Sequence, residues 1–223
     1  KSGNSAILKG GKEAIHSNIA ITKIIREGLK EKSLNEDAVI LIENTEREVT
    51  SKFMKLKEYV DVLIPRGGAG LIKAVVENST IPVIETGTGN CHIYVDEFAD
   101  LTKAVKIIDN AKTQRISVCN ACESLVVHKN VVERLMPMLK ERLSHADVEY
   151  RCDEFSKNYT PDALEASEED FGKEYLDYIL SVKTVENVEE AVNHINQYNT
   201  GHSDAIITEN DANANYFLIK MEK

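Results

Sequence analysis

No stretch of this sequence approaches the roughly 18 consecutive apolar residues that a membrane-spanning helix requires, and its opening residues lack the charged and apolar segments of a secretory leader. Basic runs are equally absent. With 27 Lys and Arg against 37 Asp and Glu, a formal net charge of −10, the surface repels nucleic-acid phosphates, so nucleic acid is not an expected partner. Four cysteines, Cys91, Cys119, Cys122 and Cys152, are too few and too unevenly spaced for a disulfide framework in 223 residues. That favours a reducing compartment, with the cytoplasm as the simplest location. Cys119 and Cys122 have C-x-x-C spacing, but neither a second such pair nor a neighbouring His pair completes a metal shell, so no metal is expected.

What is present suffices for a core. A hydrophobic content of 42% over 223 residues supports one large domain or parts of two. Residues 5–9 read as a strand. Ile21, Ile24, Ile25 and Leu29 recur at helical spacing behind Ser17 as a candidate cap, and 38–42 reads as a strand. Val49, Phe53 and Leu56 repeat the helical period. Strands over 60–64 and 81–84 flank a glycine-rich turn and a helix through Leu71 and Val76. Further on, 92–95 is extended, Leu101, Ala104, Val105 and Ile108 line a helix, and 125–127 is a strand. Val132, Leu135, Met136 and Leu139 mark a helix containing Pro137. The acidic stretch 161–172 reads as a surface loop or short exposed helix. Then come a strand over 175–182, a helix through Val188 and Ile195, a strand over 205–208 and part of a last helix at 216–219. Such alternation predicts an α/β fold, a parallel sheet flanked by helices.

Cys119 is the most informative residue, because a helical stretch ends there and a β-rich stretch, 124–128, follows. A thiol at such a junction can face a cleft, and as thiolate it attacks an activated acyl carbonyl. Arg115 and the amides after Cys119 are candidate donors that favour the thiolate. Glu85 lies 119 − 85 = 34 positions upstream, just past the 81–84 strand. Two glycine-bearing segments, Lys9-Gly10-Gly11-Lys12 and Arg66-Gly67-Gly68, are not G-x-G-x-x-G motifs. Each is either an ordinary tight turn or a backbone that approaches phosphate or ribose ahead of a helix N-terminus. Cys91, Cys122 and Cys152 read as small buried apolar residues.

Several separated motifs together resemble the gamma-glutamyl phosphate reductases (glutamate-5-semialdehyde dehydrogenases) of the aldehyde dehydrogenase superfamily. They are Lys1-Ser2-Gly3-Asn4, Pro65-Arg66-Gly67-Gly68-Ala69-Gly70, Glu85-Thr86-Gly87-Thr88-Gly89-Asn90, Ser117-Val118-Cys119-Asn120-Ala121 and Gly201-His202-Ser203-Asp204-Ala205-Ile206. The resemblance implies an aldehyde dehydrogenase-like fold. Residues 1–87 would be the C-terminal part of a Rossmann-like NADP-binding domain and 88–223 a catalytic domain, together a central portion of the full enzyme. It implies NADPH-dependent reduction of L-glutamyl 5-phosphate to glutamate 5-semialdehyde in L-proline biosynthesis, through a thioester on Cys119. It assigns Lys9, Gly10, Gly11, Lys12, Arg66, Gly67 and Gly68 to the cofactor, and Glu174, with Glu169 as competitor, to the nicotinamide ribose.

The same resemblance makes Glu85 a deacylating base in hydrolytic relatives. In a reductase it is instead expected to orient the nicotinamide or line the cleft. His202, Ser203 and Arg115 are expected near substrate. Ile116 departs from the proline common in the family before Ser117. A homo-oligomer and a functional link to glutamate 5-kinase are further implications. Two other readings stand beside this one: an aldehyde dehydrogenase or acyl phosphate reductase with another acyl group, and a non-catalytic fragment that binds nucleotide or a partner.

Overall fold

The computed structural model describes residues 3–85 and 87–221, the side chain of Ala69 excepted. The chain divides into two compact units, residues 1–86 and 87–223.

In the first unit, β1 (Ala6–Leu8) pairs in parallel with β2 (Val39–Leu41), and α1 (Ile15–Glu31) connects them. The helix begins three residues earlier than its polar signal suggests. Its N-cap is Ala14, without a side-chain cap, and Ser17 lies inside the first turn. A second helix, α2 (Arg47–Phe53), stops short of Leu56, which lies in the turn that follows. The segments 60–64 and 81–84, read as strands, contribute only a parallel bridge between Leu63 and Val83. Val62, Ile64 and Ile84 in them are exposed, so no packed face supports a longer ladder. Between them runs α3 (Ala69–Asn78).

The second unit is built on β3 (Cys91–Val95), α4 (Leu101–Thr113), β4 (Cys122–His128), α5 (Lys129–Leu143), β5 (Glu149–Cys152), α6 (Glu154–Lys157), β6 (Leu164–Glu165), α7 (Glu168–Phe171), β7 (Ile179–Val185), α8 (Val188–Tyr198), β8 (Ala205–Ile207) and α9 (Asp211–Lys220). Six strands form one parallel sheet in the order β6-β5-β7-β4-β3-β8. Alternation along the central strands divides the core between its two faces. Ile93, Val95, Leu125 and Val127 pack with Ala104, Ile108, Val132 and Leu135 of α4 and α5. Tyr94, Val126 and Val185 point the other way, to Ala191 and Ile195 of α8 and Phe217 of α9. Asp100, Asn187 and Asn210 cap α4, α8 and α9 by accepting from backbone N–H groups of the first turn.

Three expectations need correction. The acidic stretch, read as a surface loop or short exposed helix, does hold a short helix, α7, capped reciprocally by Ser167 and Asp170, but Asp170 and Phe171 on it are buried. The strand read over 175–182 starts only at Ile179, because Leu176 sits in the left-handed region at φ 54°, a conformation that breaks extension. Finally, α4 ends at Thr113, so Cys119 stands in a turn of residues 114–121 rather than at a helix end.

Candidate active site

Cys119 is exposed, whereas Cys91, Cys122 and Cys152 are buried. Burial, then Asp204, pushes the Cys91 thiol up to about 12. Burial does the same for Cys122, to about 12, and Cys152, to about 11. Those three remain protonated thiols at neutral pH. Cys119 alone combines a nucleophilic sulfur with access to solvent.

The turn that carries Cys119 is held from below. Ala121 N–H donates to the Val118 carbonyl at 3.0 Å, closing the turn before β4. The Cys91 thiol donates to the Cys119 carbonyl at 3.1 Å and lies 3.8 Å from Nδ1 of His202. Gly89 packs directly on the same backbone. A Cβ added there would sit 1.6 Å from the Cys119 carbonyl oxygen and 2.6 Å from its Cα, contacts no relaxation of a side chain can relieve. Gly89→Ala is therefore expected to cost about 1–3 kcal/mol or more by overpacking and to displace Cys119. A thermal melt together with the alkylation rate of Cys119 measures both, and a variant matching the wild type in both removes the contact.

Gly89 is also tied through its amide. Its N–H donates to Glu174 Oε1 at 2.8 Å. Next to it, Asn90 donates through Nδ2 to the carbonyls of Phe171 and Tyr198, both at 2.8 Å, and through its backbone to Thr200 Oγ1 at 3.1 Å. Asp204 accepts from the backbone N–H of His92 at 2.8 Å and lies 3.2 Å from its Nδ1. These bonds fix the approach to β3 and place His202 and Ser203, both exposed, on the loop before β8. Ser203 Oγ is 2.9 Å from His202 Nδ1. Arg115 is exposed in the Cys119 turn.

Glu174 owes its place to the segment before it. Arg151 Nη1 donates to Asp170 Oδ1 at 2.6 Å and the Tyr175 hydroxyl donates to it at 2.8 Å. Burial raises the Asp170 pKa, but Arg151, Ser167 and Tyr175 more than offset this and hold its carboxyl well below the usual carboxylate range. Glu169, the competing ribose candidate, is exposed on α7.

All of these groups gather at one edge of the sheet, where β3, β4, β7 and β8 begin. Ligands in open α/β sheets more commonly sit at the carboxyl ends. The second unit thus brings together Cys119, Arg115, Glu174, His202 and Ser203. Sequence reading missed Gly89, Cys91, Asn90 and Asp204 as its supports; the signal for Gly89 and Asn90 was their place in the glycine-rich run before β3.

The remaining candidates lie in the first unit. Lys9 Nζ donates to the Gly10 carbonyl at 3.1 Å. Lys9 and Gly10 line a hollow of about 240 Å³ with Leu8, Asn18, Ile21, Thr22 and Leu41. The Asn18 side chain packs directly on Gly10, where an added Cβ would meet its Nδ2 at 2.0 Å. Gly11 and Lys12 are exposed beyond it. Arg66, Gly67 and Gly68 precede α3, and Gly67 has φ 154°, where a side chain is strained. No side chain caps Gly68, which leaves first-turn N–H groups of a ten-residue helix for an anionic group. These donors and cations suit a dinucleotide's phosphates and ribose. Glu85 is exposed at the end of its segment. Among the described residues no group of three His, Cys, Asp or Glu side chains is placed to hold a metal ion, and no helix is long and apolar enough to cross a membrane.

The chain is thus a parallel α/β protein with an exposed cysteine in the turn before a central strand, and its family match is to the aldehyde dehydrogenases. Residues 1–161 match that family, and the chain belongs to it. Within the family, it is 55% identical over 222 residues to the gamma-glutamyl phosphate reductase of Lachnospira eligens, covering 100% of this chain and 54% of that protein. The corresponding protein of Clostridium acetobutylicum is 54% identical, covering 100% and 53%. The crystal structure of gamma-glutamyl phosphate reductase from Thermotoga maritima matches with a TM-score of 0.94 at 49% identity, covering 99% of this chain and 53% of that one. Propionaldehyde dehydrogenase of Rhodopseudomonas palustris shares the fold, with a TM-score of 0.75 at 18% identity, covering 99% and 57%. The chain spans about half the length of the curated relatives it matches.

Proposed function

We propose that this chain carries the nucleophile and part of the cofactor-binding frame of a gamma-glutamyl phosphate reductase acting in L-proline biosynthesis. The observation that carries the reading is the exposed Cys119 on a buttressed turn, in a chain more than half identical along its whole length to relatives bearing that name.

The Cys119 thiolate attacks the acyl carbon of L-glutamyl 5-phosphate. The C–S bond forms, the carbonyl oxygen takes up negative charge, and collapse breaks the C–O bond to release inorganic phosphate and leave a thioester. The Cys119 backbone N–H is the natural first donor to that oxyanion. NADPH, when bound, would supply a hydride to the thioester carbonyl. The hemithioacetal this would leave on Cys119 would break its C–S bond, releasing glutamate 5-semialdehyde and the thiolate.

Lys9, Gly10, Gly11, Lys12, Arg66, Gly67 and Gly68 hold the cofactor's phosphates and adenosine ribose, and the cations suit a 2′-phosphate. Glu174 receives the nicotinamide ribose, and Glu85 orients the nicotinamide rather than activating water. Arg115, His202 and Ser203 face the substrate. The parent enzyme is a cytoplasmic homo-oligomer that draws its acyl phosphate from glutamate 5-kinase. Four unpaired thiols suit a reducing compartment.

Phosphate discriminates this reading from its rivals. In the enzyme carrying this chain, oxidation of glutamate 5-semialdehyde by NADP is expected to require inorganic phosphate and to yield the acyl phosphate. Phosphate-independent formation of free glutamate would instead indicate a hydrolytic dehydrogenase with Glu85 as its base.

A further inference from the structure

Lys112 and Glu123 form an ion pair at 2.8 Å in which both side chains are fully buried. Lys112 lies one residue before the end of α4, where the Cys119 turn departs, and Glu123 is the second residue of β4, where the turn returns. The second carboxylate oxygen of Glu123 accepts the backbone N–H of Leu176 at 3.1 Å. Leu176 has the left-handed φ of 54° noted above, and two residues before it Glu174 accepts the N–H of Gly89. Gly89 in turn lies against the Cys119 backbone.

We propose that Lys112 and Glu123 are positioning residues for the nucleophile: the pair joins both ends of the Cys119 turn to the 174–176 bend, and through Glu174 and Gly89 fixes the backbone that presents the sulfur. This rests on Cys119 being the nucleophile. A buried ion pair is rarely more stabilising than apolar residues of similar size, so stability alone does not account for one at this place. What an apolar pair cannot supply is the acceptor for Leu176, on which the bend depends.

Amide hydrogen exchange on this chain tests the route. In Lys112→Met/Glu123→Leu the acceptor is lost without leaving a lone buried charge. Exchange is expected to accelerate at least 10-fold in residues 87–90 and 114–121, while the central strands β4 and β7 keep their protection. Lys112→Met/Glu123→Gln retains an acceptor oxygen and is expected to restore wild-type exchange in both segments. Unchanged exchange in the Leu variant, a uniform loss of protection across the sheet, or failure of the Gln variant to rescue overturns the proposal.

Should the Leu variant not fold, Glu174→Ala breaks the next link at a half-buried site. It is expected to accelerate exchange in the same two segments, with Glu174→Gln again restoring it; no acceleration in Glu174→Ala overturns the proposal. Because exchange is read without turnover, its failure is distinct from retained activity in a Cys119 variant, which would remove the reductase reading itself.

Discussion

Cys119→Ala is expected to abolish semialdehyde formation in the enzyme carrying this chain, lowering kcat by roughly 10⁴-fold or more; loss of a covalent nucleophile elsewhere costs on the order of 10⁶. The same change should leave the fold intact. Cys119 is exposed, and its two structural ties run through its backbone: the carbonyl accepts the Cys91 thiol, and Gly89 packs on the main chain. Alanine keeps both, so stability should stay within about 0.5 kcal/mol of wild type. Thiol labelling supplies an independent reading. The native protein should present one rapidly alkylated cysteine, and the variant none, because Cys91, Cys122 and Cys152 are buried and burial raises their pKa values. Full activity in Cys119→Ala would remove the thioester mechanism, whereas lost activity with lost cooperative melting would point to a structural role.

The exposed setting of Cys119 was legible in the sequence because it falls between a helical stretch and a β-rich run, while its proposed role as nucleophile came from the resemblance of the motifs around it. The helices α4, α5 and α8 were legible for a similar reason, since each buries a face and writes a 3.6-residue period into its apolar positions; α1 carries the same period, although Ile21, Ile24 and Ile25 are exposed. Boundaries set by tertiary contacts were not. Tyr175 and Leu176 belong by composition to the strand that follows, yet a left-handed residue tied to Glu123 delays it to Ile179. The strand β5, Glu-Tyr-Arg-Cys, passed unread because its Arg151 and Glu149 are charged; Arg151 is accommodated by its bonds to Glu149 and Asp170. The supports of the site were hidden by distance along the chain. Cys91 meets residue 119, Gly89 meets residue 174, and Lys112 meets Glu123 across a turn whose closure no periodicity announces. A buried lysine and glutamate look like surface residues until the sheet puts them together.

The same pair gives the largest expected effect on stability. Lys112→Met leaves Glu123 buried without its counter-ion, which is expected to cost about 3–5 kcal/mol at pH 7, against a total of about 5–15 kcal/mol for a typical domain. The sign of the pH dependence follows from Glu123. Burial raises its pKa above the usual carboxylate range, and Lys112 is the chief influence lowering it. A carboxyl whose folded pKa lies above its unfolded value binds protons more tightly in the folded state, so its charged form opposes folding. That penalty is fully expressed above the folded pKa and fades as pH falls towards the ordinary carboxylate range. Removing Lys112 pushes the folded pKa higher still and widens the window. The stability gap between wild type and Lys112→Met should therefore narrow as pH is lowered from 7 towards 5. Adding Glu123→Leu should recover most of the loss at pH 7, because no charge is then stranded. Urea unfolding of the three proteins at pH 7 and pH 5 measures both effects. A loss below about 1 kcal/mol at pH 7, or a gap that widens on acidification, would mean that water or another cation reaches Glu123 and that the pair is not the closed contact described.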